Sequence, residues 1–135
     1  MTNHGDLPVQ RRVYNALIAE AEAAHPRECC GLLLGRAGRI TQARSTANVH
    51  PQPETHFEID PQALVDAHRA ERGGGLQIMG YFHSHPTGNC HPSETDRSQS
   101  ARDGKVWAIV AGDDVMFWQD DPGGFHALSY EVASR

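Results

Sequence analysis

The chain has 135 residues, 39% of them hydrophobic and 21% charged, the balance of an ordinary globular protein with one core rather than of a disordered chain. A formal net charge of -5 argues against a nucleic-acid partner, which needs a basic face, and no run is long and apolar enough to span a bilayer. Met1–Arg12 lacks an apolar stretch followed by small residues, so no secretion signal is expected. Cys29, Cys30 and Cys90 are odd in number and make a poor disulfide framework, which leaves a reducing, cytoplasmic setting as the simpler expectation.

Pro8 to Ala24 is predicted as a helix: Val9, Val13, Leu17 and Ala21 recur every four residues, and Pro26 stops it. Cys29–Leu34 is a continuous apolar run ending at Gly35, which suits a buried strand with Cys29 and Cys30 on opposite faces. Arg36-Ala37-Gly38 reads as a turn, and the more polar Arg39–Val49 as a second strand. Prolines make residues 51–54 a loop. Phe57-Glu58-Ile59 alternates briefly, and Asp60-Pro61 then pairs an N-cap with proline at the first helical position. The helix that follows reaches about Arg72, with Leu64 and His68 four apart and Gly73–Gly75 ending it. Leu76–Phe82 is a strongly apolar strand that runs into His83. After a Gly/Pro-rich loop, Ser93 to Arg102 predicts a third, polar helix. Lys105–Ala111 and Val115–Gln119, with Gly112-Asp113-Asp114 between them, predict a hairpin, and Phe125–Val132 a last strand. This order implies a mixed α+β or α/β fold in a single domain, residues 1–135.

The chain has nine histidines, and three of them fall within Tyr81–Ser93. His83 and His85 stand one residue apart at the end of an apolar strand, where residues i and i+2 face the same side, so both imidazoles can reach one ion. Asp96 offers a carboxylate from the start of the next predicted helix. Two nitrogens and one oxygen, at about 2 Å, form a three-ligand zinc site with a fourth position open, which is the catalytic arrangement. Each part has a plainer explanation. A lone His-x-His is usually core or surface decoration, and Ser93 with Asp96 three residues on imitates a capping box. The combination is what points to a metal.

His83-Ser84-His85-Pro86, seven residues between His85 and Ser93, and then Ser93-Glu94-Thr95-Asp96 resemble the signature of the JAMM (MPN+, Mov34/PAD-1) metalloproteases. That family also has a glutamate near the start of its first core strand, and Glu28 stands at the matching place. The resemblance spans nearly the whole chain and implies a mixed β-sheet flanked by helices, with cytidine-deaminase-like layering. It implies Zn2+ held by His83, His85 and Asp96, with Glu28 as the general base that returns its proton to the leaving amine, and Ser93 helping to hold the oxyanion. Without the downstream motif, nothing local would single out Glu28 over Glu20 or Glu22. Ser84 is expected to be structural and Cys30 a small buried residue. Cys90 and His91 are expected at the surface of a substrate channel. Cys29 could be accessible, but nothing supplies a base for it. A zinc deaminase is set aside, because it would need a glutamate two residues after the histidine and a Pro-Cys-x-x-Cys segment.

The chain lacks the long insertions of eukaryotic deubiquitinating members and looks similar to the bacterial ones that process ubiquitin-like sulfur carrier proteins. The resemblance therefore implies hydrolysis of a peptide or isopeptide bond at such a protein's Gly-Gly tail, by a monomer or homodimer. A tail of this kind can thread a narrow groove and add to a strand edge, and His56, Phe57 and the Gly73–Gly75 turn are candidates to line the groove. Two other readings stand beside this one: an amide or isopeptide hydrolase with an unrelated substrate, and a non-catalytic scaffold on the same fold.

Overall fold

The computed structural model describes residues 6–134, and His4 lies outside them. The elements run β1 (Leu7–Val9), α1 (Arg11–Ala24), β2 (Cys30–Arg36), β3 (Arg39–Thr46), α2 (Pro61–Arg72), β4 (Gln77–Ser84), α3 (Glu94–Gln99), β5 (Val106–Ala111), β6 (Asp114–Asp121), β7 (Gly124–Leu128) and β8 (Tyr130–Val132). All eight strands join one mixed sheet in the order β7-β6-β5-β4-β2-β3-β1-β8. Strand β1 pairs parallel with β3 and β8, and β4 with β5; the other neighbours are antiparallel. No helix among the described residues is long and apolar enough to cross a membrane.

The apolar run of β2 is buried because helices cover both faces of the sheet. Cys29 and Leu33 pack with Val13 and Leu17 of α1, while Cys30, Leu32 and Leu34 pack with Ala67 of α2. Alternate residues of one strand thus feed two cores, and each fully buried leucine contributes about 1.5–3 kcal/mol. A third cluster, Trp107, Ile109 and Trp118, lies beside the second and shares Phe57 and Tyr81 with it.

Three boundaries and one helix face differ notably from the sequence expectation. Helix α1 begins at Arg11 rather than Pro8, because Leu7–Val9 is drawn into β1 by parallel pairing with Tyr130–Val132; Val9 is buried, but from a strand. Helix α3 ends at Gln99, since Ser100 is extended and Arg102 adopts φ 53°. The buried Asp120 carboxylate accepts from the Ser100 hydroxyl and from the Arg102 N–H, at 3.2 Å, which pins this turn. The expected last strand, Phe125–Val132, breaks at Ser129: its first half pairs with β6 and its second with β1 at the opposite edge. On α2 the buried contact is Ala67, and His68 is exposed.

Two features place the site. The start of β2 lies against the end of β4, with Cys30 opposite His83 and Gly31 opposite Phe82. On its other side, β4 runs parallel to β5, close enough at Gly80 that an added Cβ would stand 1.7 Å from the Val106 carbonyl oxygen. Gly80→Ala is therefore expected to destabilise the protein by about 3 kcal/mol or more, because the obstructing atom is backbone and cannot move aside. Gly123→Ala, whose Cβ would meet nothing within 4 Å, is expected to stay within about 0.5 kcal/mol of wild type in urea unfolding.

Candidate metal centre

The pleat carries His83 and His85 to the same side of the sheet, and their Nε2 atoms are 3.1 Å apart. Asp96, from the first turn of α3, reaches both: Oδ1 is 3.1 Å from His83 Nε2, and Oδ2 is 3.1 Å from His85 Nε2. One ligand atom from each of the three lies within 4.8 Å of the others. The capping box expected at Ser93 is present. The Ser93 hydroxyl accepts from the Asp96 N–H at 3.0 Å, and Asp96 Oδ2 accepts from the Ser93 N–H at 2.9 Å. The Ser93 hydroxyl hydrogen is not used by the cap, and Ser93 is exposed.

The donor set fits a cation. His85 Nδ1 lies 2.6 Å from the Asn89 carbonyl oxygen, and since a carbonyl can only accept, Nδ1 carries the hydrogen. In the neutral ring, Nε2 then bears a lone pair aimed at the Asp96 carboxylate and at His83 Nε2. Acceptors facing acceptors are unfavourable unless a proton or a metal ion lies between them, and a backbone carbonyl on the far nitrogen is the usual support for a ligating histidine. The three groups also shift one another's protonation. Burial works against the Asp96 carboxylate, but His83 and His85 outweigh it and hold Asp96 well below the usual carboxylate range. Burial also opposes a charge on His85, yet Asp96 and the Asn89 carbonyl raise its pKa. Burial lowers that of His83.

Packing holds the His83 ring in place. Phe57 stacks on it at 4.2 Å and 18°, and Trp107 meets it edge-on at 5.6 Å and 88°. Its Nδ1 is the one buried side-chain polar atom among the described residues without a partner. Phe57 and Trp107 also line a cavity of about 520 Å3, with Ile59, Leu64 and Tyr81 on its walls. Of the residues expected to line a substrate groove, Phe57 borders this cavity, while His56 and Gly73–Gly75 do not. A cavity of about 410 Å3 opens beside His85, Ser84 and His25.

Glu28 immediately precedes the Cys29–Ser84 junction. Ser84, which the pleat turns away from the histidines, accepts from the Cys29 N–H at 2.8 Å through its hydroxyl and donates its own N–H to the Cys29 carbonyl at 3.2 Å. This double link extends the β2–β4 pairing and keeps Glu28 at the ligand end. Glu28 is 7% exposed. Burial raises its pKa from 4.5 to about 7, with His85 pulling it down and Asp96 pushing it up, so it lies within electrostatic reach of the cluster.

The cysteines require two corrections. Cys90 is 6% exposed; its thiol donates to the Asp114 carbonyl at 3.3 Å, and its carbonyl accepts from Trp118 Nε1 at 2.9 Å. It anchors the loop to β6 instead of facing a channel, while His91 remains exposed against Trp118. Cys29 is buried in the α1 core, and burial pushes its thiol up to about 11, so it is not accessible. Trp107, Asn89 and Asn48 were not singled out from the sequence. A tryptophan in an apolar strand reads as core, and the partners of both asparagines are set by loop geometry.

The family described as prokaryotic homologs of the JAB domain matches residues 10–121. The chain is 36% identical over 112 residues to the desampylase of Haloferax volcanii, covering 79% of each protein. It is 39% identical over 71 residues to a probable TtuB-protein conjugate cleaving protease of Thermus thermophilus, covering 53% of this chain and 47% of that one. To the CysO-cysteine peptidase of Mycobacterium tuberculosis it is 29% identical over 92 residues, covering 67% and 62%. The fold superposes on a solution structure of a protein from Desulfitobacterium hafniense with a TM-score of 0.83 at 23% identity, covering 95% and 93% of the two chains. The family match spans most of the chain, ligand cluster included, and the chain belongs to the prokaryotic homologs of the JAB domain, within the JAMM/MPN+ family that its motif resembles.

Proposed function

We propose that residues 1–135 act as one metallopeptidase domain that hydrolyses a peptide or isopeptide bond at the C-terminal tail of a ubiquitin-like or sulfur carrier protein. Zn2+ is held by His83, His85 and Asp96. The observation that carries this reading is the convergence of His83 Nε2, His85 Nε2 and the Asp96 carboxylate, with the His85 lone pair fixed inward by Asn89. The names of the relatives support the substrate class: one is named a probable TtuB-protein conjugate cleaving protease and another a CysO-cysteine peptidase. A reducing, cytoplasmic setting accords with three free and buried cysteines.

Bound zinc supplies a Lewis acid that lowers the pKa of water from about 15.7 to about 7. The Glu28 carboxylate accepts the proton of the attacking water and returns it to the leaving nitrogen, the two halves of general acid–base catalysis. Its raised pKa, about 7, suits a group that must both take and give a proton near neutrality. The Ser93 hydroxyl, with its hydrogen unused by the helix cap, donates to the oxyanion, a contact typically worth about 3 kcal/mol. Phe57 and Trp107 exclude water on one side of His83, and the cavity they border receives the extended tail.

The test is the intact mass of a sulfur carrier protein bearing one cysteine after its Gly-Gly end, incubated with zinc-loaded enzyme. Loss of that cysteine is expected, and Glu28→Gln is expected to slow it by about 100-fold or more while binding zinc normally. An unchanged mass would rule out this tail. Asp96→Ala is expected to lose stoichiometric zinc in metal analysis after gel filtration; wild-type zinc content in that variant would mean that the ligand set is wrong.

The metal-free protein offers a third check. The folded-state pKa of Glu28 lies above its ordinary value, so its favourable contribution is complete below pH 4.5 and is lost as pH rises through about 7. In excess chelator, Glu28→Gln is therefore expected to melt several degrees above wild type at pH 8, and this gap is expected to close toward pH 4. A gap independent of pH would contradict the burial of an ionisable carboxyl at this position.

A further inference from the structure

We infer that Asn48 is a positioning residue for Glu28, holding the backbone of the base in register with the ligand cluster; this rests on the role proposed for Glu28 above. Glu28 stands two residues before β2, whose ladder partners on both sides begin at Cys30. Neither its N–H nor its carbonyl therefore has a strand neighbour. The loop after β3 takes that place. The Pro53 carbonyl accepts from the Glu28 N–H at 2.7 Å, and Asn48 Nδ2 donates to the Glu28 carbonyl at 3.0 Å.

The Asn48 amide is the joint of that loop. Nδ2 also donates to the His56 carbonyl at 3.0 Å, with the Pro53 carbonyl at 3.5 Å. Oδ1 accepts from the His50 N–H at 3.1 Å and from the Glu58 N–H at 3.0 Å. The nitrogen meets only carbonyls and the oxygen only N–H groups, so the orientation of the amide is unambiguous. Asn48 thus bonds directly to the base and closes the segment that supplies the base's other backbone partner, Pro53. The same segment carries Phe57 against the His83 ring. Asn48 is half-buried and belongs to none of the apolar clusters. Its loss is therefore felt where Glu28 stands more than in the core.

Asn48→Asp separates the two halves of the amide: it keeps the acceptor for His50 and Glu58 and replaces the donor with a second acceptor facing carbonyls. With the sulfur carrier bearing one cysteine after Gly-Gly as substrate, zinc content is expected to remain at the wild-type level. A displacement of the base of about 1 Å is expected to lower kcat by about 10- to 100-fold, with KM changed less than about threefold. In the Glu28→Gln background, the same change is expected to add less than about threefold, because both substitutions disable one group. A readout independent of turnover is hydrogen exchange of the Glu28 amide, expected to quicken at least tenfold in Asn48→Asp while the Leu33 amide is unchanged.

Wild-type kcat in Asn48→Asp, losses that multiply with those of Glu28→Gln, or an unaltered Glu28 amide would each overturn the inference. If Asn48→Asp does not fold, Asn48→Ser, which brings no charge into the loop, is put through the same measurements against the same expectations. Wild-type activity in Glu28→Gln alone would instead remove the base assignment, and this inference with it, an outcome that the single variant distinguishes.

Discussion

The Asp96 carboxylate is where folding and chemistry meet. It caps the start of α3 by accepting from the Ser93 N–H, and its two oxygens face two imidazoles that converge from β4. A short helix of six residues has little intrinsic stability, so its position depends on the capping box, and the N3 residue of that box, Asp96, is also a candidate metal ligand. The local interaction that starts the helix thus fixes the distance between an oxygen and two nitrogens. Everything else at the site serves this meeting point. Asn89 sets the inward lone pair of His85, Phe57 and Trp107 orient the His83 ring, and the Ser84–Cys29 link brings the end of β2 alongside.

The strands at the centre of the sheet illustrate how one sequence pattern serves two faces. Alternate residues of β2 reach different cores, and the polar residues at the end of the neighbouring β4 follow the same alternation. Ser84 points away from the candidate metal ligands and holds backbone; His83 and His85 point toward Asp96. A change of register by one residue would exchange these roles. Gly80 and Gly31 prevent such a slip, since each lets a neighbouring backbone or ring approach within a distance that no side chain permits.

Much of this is legible in the amino-acid sequence. The central strands, α2 with its Asp60-Pro61 start, and the two histidines and aspartate carried periodic or spaced signals that depend only on local geometry. The ends of the chain did not. Leu7–Val9 looks like the first turn of a helix, and only Tyr130–Val132, far away in sequence, makes it a strand. Ser129 gives no sign that the last strand changes sheet edge. Cys90 looked like a channel residue because its partners, Asp114 and Trp118, lie on a different strand. Asn48 had no signal at all, since its five partners are backbone atoms assembled by the fold. Glu28 was singled out only through the family pattern; its burial and raised pKa come from the fold and carry no local sequence signal.

The break at Ser129 has a mechanical consequence. Strands β7 and β8 are the two edges of the sheet, yet a single residue separates them in the chain. An open sheet ordinarily frays by peeling one outer strand away while the rest stays intact. Here, lifting β8 from β1 pulls on β7 and its bonds to β6, and the Tyr130 ring, packed on Tyr14 and Phe117, draws α1 into the same event. The two margins are thereby linked into one opening unit, so the eight strands resist unzipping more as a hoop than as a ribbon.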